Sequence, residues 1–234
     1  MARLPRLYAP GLTQLVIADL VKDPLSGKNL QLTPDLLRDL LQWIGDAAKT
    51  YQVSVHGWVI TPNSIAMLAT PSSAQGISRL MQTLGRNLAA RLKSGSVFSG
   101  RYHSTLLESG AWVLPALTWL EWIPVREGLT TDPEQWTWSS AHAHTGQAGV
   151  LASWLEQHVD YWGLGNTPFD RQARYRTLLQ DGNSSAVNQK IASSLRGQWA
   201  LGSETFLSSI SESASRRIQP GVRGRPKKRT ESVN

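Results

Sequence analysis

His56 to Thr70 reads HGWVITPNSIAMLAT, and how this stretch is parsed decides the fold. Two apolar runs flank Thr61-Pro62-Asn63. Proline presets one turn dihedral and asparagine tolerates the turn backbone, so the runs 53–60 and 64–70 read as the strands of a hairpin. On the second strand Ser64 and Ala66 are two residues apart and share a face. Working outward, a helix is expected over 33–50, with Thr33 as cap and Pro34 in the first turn, where a missing N–H costs nothing. Leu36, Leu37, Leu40, Leu41, Ile44 and Ala48 give it one apolar stripe. A strand over 12–20, a helix over 74–93, a strand over 103–108 and a helix over 111–123 complete the series. The order strand, helix, strand, strand, helix, strand predicts an α+β domain, a ferredoxin-like antiparallel sheet with helices on one face.

This domain is expected to span 1–147. A Gly-, Ala- and Ser-rich stretch over 146–153 reads as a linker to a helical region, 148–215, in which Thr167-Pro168 opens one helix and 184–195 forms another. Trp199 to Gly202 then interrupts the chain before a helix over 203–215. That arrangement suits a helix-turn-helix entering a major groove, or equally a plain helical pair packed on the first domain, since Ser208, Ser209 and Ser211 offer little base-reading chemistry.

The 234 residues are 41% hydrophobic, enough for one substantial core with a smaller helical appendage. Cysteine is absent, no run of 18 apolar residues occurs, and no charged, apolar and small signal pattern opens the chain. A cytoplasmic, nucleoid-associated protein without a membrane segment is expected. The net charge of +7 is concentrated at one end: seven Lys or Arg and one acid lie in 216–234, leaving 17 basic and 16 acidic residues before it. This tail is expected to be disordered. Within it Arg223, Lys227, Lys228 and Arg229 flank Gly224-Arg225-Pro226 in a segment that resembles an AT-hook, an extended segment for narrow minor grooves, though a solvated basic terminus binding any polyanion fits as well. A second basic stretch contains Arg79, Arg86, Arg91, Lys93 and Arg101 and no acid, while Leu80, Leu84, Leu88 and Leu92 recur every four residues. It reads as an amphipathic helix with a cationic, DNA-contacting face.

Several motifs, in order and spacing, are similar to those of single-tyrosine HUH transposases, the insertion-sequence and REP-associated family. Gly100-Arg101-Tyr102 matches the family's Gly-Arg-Tyr, Pro124-Val125-Arg126-Glu127-Gly128 its Pro-Val-Arg-x-Gly, and Trp138-Ser139-Ser140 its Trp-Ser-Ser. Tyr161 to Phe169, Arg196 to Gly202 and Gly224-Arg225-Pro226 resemble the helical C-terminal region of one proteobacterial branch. The resemblance implies the same ferredoxin-like fold and a hairpin or palindromic repeat DNA as partner. It also implies activity with a divalent metal such as magnesium or manganese.

Against that pattern four positions depart. Where the family has Pro-Asn-His-x-His, with both histidines holding the metal, this chain has Pro62-Asn63-Ser64-Ile65-Ala66. Counting between the Gly-Arg-Tyr and Pro-Val-Arg matches puts the family's nucleophilic tyrosine on Trp119 and its metal-assisting polar residue on Ile123. Tyr102 and Tyr51 are the other candidate nucleophiles in the domain, and Tyr102 already matches a different family position. Pro115, inside the expected helix, would kink it. His142-Ala143-His144 is the remaining His-x-His; it reads as loop rather than metal strand. His56 reads as structural. The expectation is therefore a transposase-like DNA-binding protein that holds no cofactor and does not cut. The alternatives are an active single-strand transposase with unorthodox residues, or an interaction module that pairs with itself or an active relative. Within the tail, Arg225→Ala is expected to weaken A·T-rich duplex binding selectively, and Lys228→Ala all sequences alike.

Overall fold

A computed structural model describes residues 5–22, 32–150 and 152–220. Its sheet has the order β2-β3-β1-β4-β5, where β1 is Gln14–Asp19, β2 Val53–Ile60, β3 Ser64–Pro71, β4 His103–Leu107 and β5 Ala200–Leu201. The first four strands are antiparallel neighbours in the ferredoxin-like arrangement, and β5 pairs parallel to β4. On one face lie α1 (Pro34–Tyr51) and α2 (Gly76–Leu92), whose buried Leu40, Ile44, Leu80, Leu84 and Leu88 pack on Val16, Ile65 and Met67. Thr33 caps α1, its Oγ1 accepting the Leu36 N–H at 3.3 Å, and Pro34 sits in the first turn.

A β-bulge shapes the sheet. Val55 pairs with Ala69 but Gly57 with Leu68, so His56 is an extra residue and the alternation of β2 changes phase there. Val53 and Val55 before it, and Trp58 and Ile60 after it, all reach the α1/α2 core, while Gly57 and Val59 turn to the opposite face. On that face a Cβ at residue 57 would lie 2.4 Å from Leu117 Cδ1, so glycine is what lets the next helix lie flat on β2.

That helix is α3 (Val113–Glu121), joined, after the short α6 (Val159–Trp162), by α7 (Pro168–Asp181) and α8 (Ser185–Gly197). Leu117, Leu120, Tyr175, Leu179, Ile191 and Leu195 bury against Leu15, Leu68 and Leu107, so the C-terminal region shares a core with the sheet. The first-turn position of Pro115 in α3 corrects the expected kink, because no intrahelical N–H is needed there. The helix expected over 111–123 instead stops at Glu121, and a separate turn, α4 (Ile123–Arg126), follows.

Further expectations are revised. The linker stretch is not loose: Val150, Ala152 and Trp154 pack on the α1/α2 core, and a Cβ at Gly45 would meet Trp154 Cδ1 at 2.2 Å. His142-Ala143-His144 lies in a short helix, α5 (Ala141–Thr145), rather than a loop; Gly146 ends it at φ 72°, backbone that favours glycine. The helix-turn-helix reading gives way to helix, strand, helix: Ala200 and Leu201 enter the sheet as β5 before α9 (Glu204–Ile210), which is shorter than 203–215. The tail boundary moves too. Ile218 is buried in a third cluster with Leu7, Leu106 and Leu207, and Arg216 donates to the Gln198 carbonyl, so 216–219 belongs to the folded body.

Both outer strands carry additional main chain. Along β2, the Ile60 N–H donates to the Trp138 carbonyl at 3.0 Å, the Ser140 N–H to the Trp58 carbonyl at 2.9 Å and the Glu156 N–H to the Val55 carbonyl at 2.9 Å. Outside β5, the Ala200 N–H donates to the Ile218 carbonyl at 2.9 Å.

Candidate active-site face and nucleic-acid interface

Ser64 and Ala66 lie on the α3 side of β3, and the structure brings Ala66, Trp119 and Ile123 into one buried apolar cluster. Ala66 is fully buried and Ile123 nearly so. Ser64, also buried, hydrogen-bonds inside its own turn, its Oγ 3.4 Å from Thr61 Oγ1. Arg126 roofs the cluster: its guanidinium lies 4.1 Å from the centre of the Trp119 ring and donates to the Trp119 carbonyl at 2.6 Å. Burial pulls the Arg126 pKa down to about 10, only partly opposed by Glu127. Asn63 Nδ2 donates to Glu127 Oε2 at 2.7 Å, which ties the β2–β3 turn to the end of α4. Gly128, at φ 70°, then reverses the chain in backbone that a side chain would strain. The Pro-Val-Arg-Glu-Gly motif is thus a lid, a clasp and a turn over this face. Tyr102 and Tyr51 lie elsewhere, bonded to Ser78 and Thr83 on α2.

This face does not fit the divalent ion that the family resemblance implies. Ser64 and Ala66 supply no imidazole, the side chains around Ala66 are apolar, and among the described residues no group of three or more His, Asp or Glu converges.

Beside the apolar cluster is a polar hub that motif reading missed. Glu121, the last residue of α3, is fully buried. Its Oε1 accepts from Ser140 Oγ at 2.7 Å and His144 Nδ1 at 2.7 Å, and its Oε2 from Tyr175 OH at 2.8 Å. Ser140 Oγ in turn accepts the Trp58 N–H at 3.0 Å, so the second serine of Trp-Ser-Ser joins β2 to α3. Burial first, and then the charge of Glu121, raise the Tyr175 phenol well above its usual range. The visible signal was a single carboxylate in the apolar run 113–123, which needs buried partners.

A second buried chain of hydrogen bonds starts at the bulge. His56 Nδ1 donates to the Glu156 carbonyl at 2.8 Å, and its Nε2 accepts from Thr70 Oγ1 at 2.9 Å. Thr70 and Thr13 hydroxyls are 2.8 Å apart, and Thr13 Oγ1 is 3.0 Å from His158 Nε2. The structural expectation for His56 agrees with this placement. Desolvation lowers the His56 pKa from 6.5 to about 4. A histidine held neutral contributes stability that is present above the unfolded value and lost as pH falls through the folded one. Stability should therefore fall by roughly 2–3 kcal/mol between pH 6.5 and 4, on the order of 1.4 kcal/mol per pKa unit. Urea unfolding at pH 7 and at pH 4.5 checks this; a His56→Asn variant with an undiminished pH slope would refute the assignment.

Arg79, Arg86, Arg91, Lys93 and Arg101 are all exposed along α2 and the segment after it. Arg91, however, pairs with Asp39 of α1 at 3.3 Å, an acid supplied from another helix and so invisible in the local charge count. Among the described residues, Arg79 bonds Gln75 and Arg86 bonds Thr83, both neutral groups. Arg223, Arg225, Lys227, Lys228 and Arg229 lie outside the described residues.

No family model and no curated protein matches the chain. Among solved structures, a REP-associated tyrosine transposase bound to a REP hairpin is similar at a TM-score of 0.54 and 15% identity, covering 67% of this chain and 93% of that one. The chain has a tyrosine-transposase fold. A candidate transposase from Deinococcus radiodurans also matches, at a TM-score of 0.35 and 13% identity over 46% of this chain and 88% of its own. In the transposase-fold body, Ser64, Ala66, Trp119 and Ile123 all lie toward α3, while Arg79, Arg86 and Arg101 line the α2 side. No helix among the described residues is long and apolar enough to cross a membrane.

Proposed function

We propose that this chain is a transposase-like DNA-binding protein that recognises hairpin or repeat DNA and does not cut it. The observation supporting this reading is the packed state of the α3 face, where Ala66, Trp119 and Ile123 form a core under Arg126. An indole has no group that attacks phosphorus, and nothing on this face would generate a metal-activated nucleophile. The solved tyrosine transposase, bound to its hairpin, supports DNA as the partner. Incubation with single-stranded hairpin DNA and magnesium or manganese is expected to yield no nick and no covalent adduct. An adduct abolished by Tyr102→Phe would overturn the reading.

Binding is expected to weaken steeply with salt, because Arg79, Arg86 and Arg101 and the five basic residues of 221–234 displace counterions from phosphates. Deleting 221–234 should leave a folded protein whose log affinity falls less steeply with log salt, by about 0.9 for each phosphate that is no longer neutralised. The cut belongs after Pro220, because Ile218 is buried. Gel shifts of the full and shortened chains at several salt concentrations test both statements. A second reading, a module that pairs with another protein, draws on three exposed apolar side chains: Val159 is 67%, Trp162 54% and Phe169 81% exposed. Failure to bind hairpin DNA at low salt would put that reading first.

A further inference from the structure

The stretch Tyr161 to Phe169 takes no part in the face or the hub described above, yet it is held firmly. Tyr161 is buried and donates to the His144 carbonyl at 2.7 Å, and His158 caps α6 by accepting the Asp160 N–H at 3.0 Å. A Cβ at Gly165 would stand 2.6 Å from Asp170 Cβ, so the glycine lets the chain fold back on the first turn of α7. There its carbonyl accepts from Arg171 at 3.1 Å, and the Arg171 guanidinium lies 4.0 Å from the centre of the Trp162 ring. Arg171 is buried and its Nε has no hydrogen-bond partner. Among the described residues no ion pair joins it to a carboxylate.

A buried guanidinium without an acid is costly, and the residue it holds, Trp162, is still 54% exposed. The indole is covered on one face and open on the other. An apolar protein surface would need only exposed area, which Phe169, at 81%, offers with no cation against its ring among the described residues. The guanidinium behind Trp162 adds two things. It draws π-electron density toward itself, which favours an electron-rich ring on the far face, and it sets a positive charge near any phosphate that such a ring carries. Arg174, exposed one turn along α7 on the same side as Arg171, adds a second cation. The acids of this stretch are turned to donors of the fold: Asp160 accepts from Ser109 Oγ and the Gly110 N–H, both at 2.6 Å, and Asp170 from Thr167 Oγ1 at 2.7 Å.

We propose that Trp162 is a stacking platform for one unpaired base of single-stranded DNA, with Arg171 behind the ring and Arg174 beside the phosphates. The proposal rests on the DNA-binding reading above. Its test is the affinity of the full chain for three hairpins: one with single-stranded extensions at both ends, one whose extensions are abasic and so keep only the phosphates, and one that is blunt. The extension bases should add about tenfold in affinity over the abasic form. Trp162→Leu, apolar but not planar, should bind the first two hairpins alike, and so should Trp162→Gln, which removes the ring in favour of a water-compatible side chain. Blunt-hairpin binding should stay unchanged in both, which also shows that they are folded. Trp162→Phe should keep most of the preference, and Phe169→Ala should keep it within about twofold. Equal affinity for base-bearing and abasic extensions in the unaltered chain, or a base preference that survives Trp162→Leu, overturns the platform and leaves hairpin recognition standing. If no hairpin is bound, the free single strand decides: Trp162-dependent binding keeps the platform and discards the hairpin reading, and no binding overturns both. A change of oligomeric state in both Trp162→Leu and Phe169→Ala would assign the ring to a protein contact and overturn the proposal as well.

Discussion

Replacing Glu121 with alanine should lower the unfolding free energy by about 3–5 kcal/mol, the range for removing one partner from a buried charged network. Three donors converge on this carboxylate, from Ser140, His144 and Tyr175, and all three lie in buried surroundings where water cannot replace it. The loss would reach beyond one contact. Ser140 anchors α5 to β2 through the Trp58 N–H, and Tyr175 anchors α7, so the hub joins α3, the segment after it and the C-terminal helices. At about 2–4 °C per kcal/mol for a protein of this size, the melting temperature should fall by roughly 6–20 °C. Glu121→Gln, which keeps the shape and part of the acceptor capacity, should cost less. Urea unfolding of both variants checks the order, and a loss under about 1 kcal/mol for the alanine variant would mean the hub is not a structural centre.

Placing a histidine at position 66 should also destabilise, by about 2–5 kcal/mol, without creating metal binding. Ala66 is fully buried among Leu15, Val59, Leu117 and Trp119, so an imidazole would overpack the site and enter without a hydrogen-bond partner. The same holds for the pair Ser64→His with Ala66→His, because the apolar packing of Trp119 and Ile123 remains. Thermal melts with and without manganese decide the point. A double variant that melts higher when the ion is added would show that the face has the shape of a metal site, and would weaken the reading that this face is core.

The hairpin, the capped first helix and the order of the first six elements were legible because each rests on a period or a cap: alternation in 53–70, a four-residue leucine spacing in 80–92, and Thr33-Pro34. The bulge at His56 was not, since an extra residue is defined only against the register of β3. Nor was β5, two residues that acquire their conformation from β4 and Ile218 rather than from any local pattern. At the site, the positions where the family resemblance expects histidines, a tyrosine and a polar residue could be read one by one as Ser64, Ala66, Trp119 and Ile123. Their packing was not, because Arg126 reaches back over Trp119 only after the chain stops α3 at Glu121 and turns through α4. Asp39 closing on Arg91 shows the same limit, since two helices of separate charge character meet only in space.

The main chain laid along both outer strands bears on how copies of this protein meet. An open strand edge is a template that any extended segment can lengthen, including the same strand of another molecule. Here β2 already donates to and accepts from the 138–140 and 155–156 segments, and the N–H of Ala200 is taken by Ile218. The sheet therefore ends in satisfied polar groups rather than in a row of vacancies. Assembly by ribbon continuation, in which two sheets fuse into one, would first require peeling away Trp138 to Ser140 or Ile218, each seated by a buried side chain, Ser139 or Ile218 itself. Any self-association is left to helix surfaces and side chains, and the same closure guards the molecule against stacking edge to edge at high concentration.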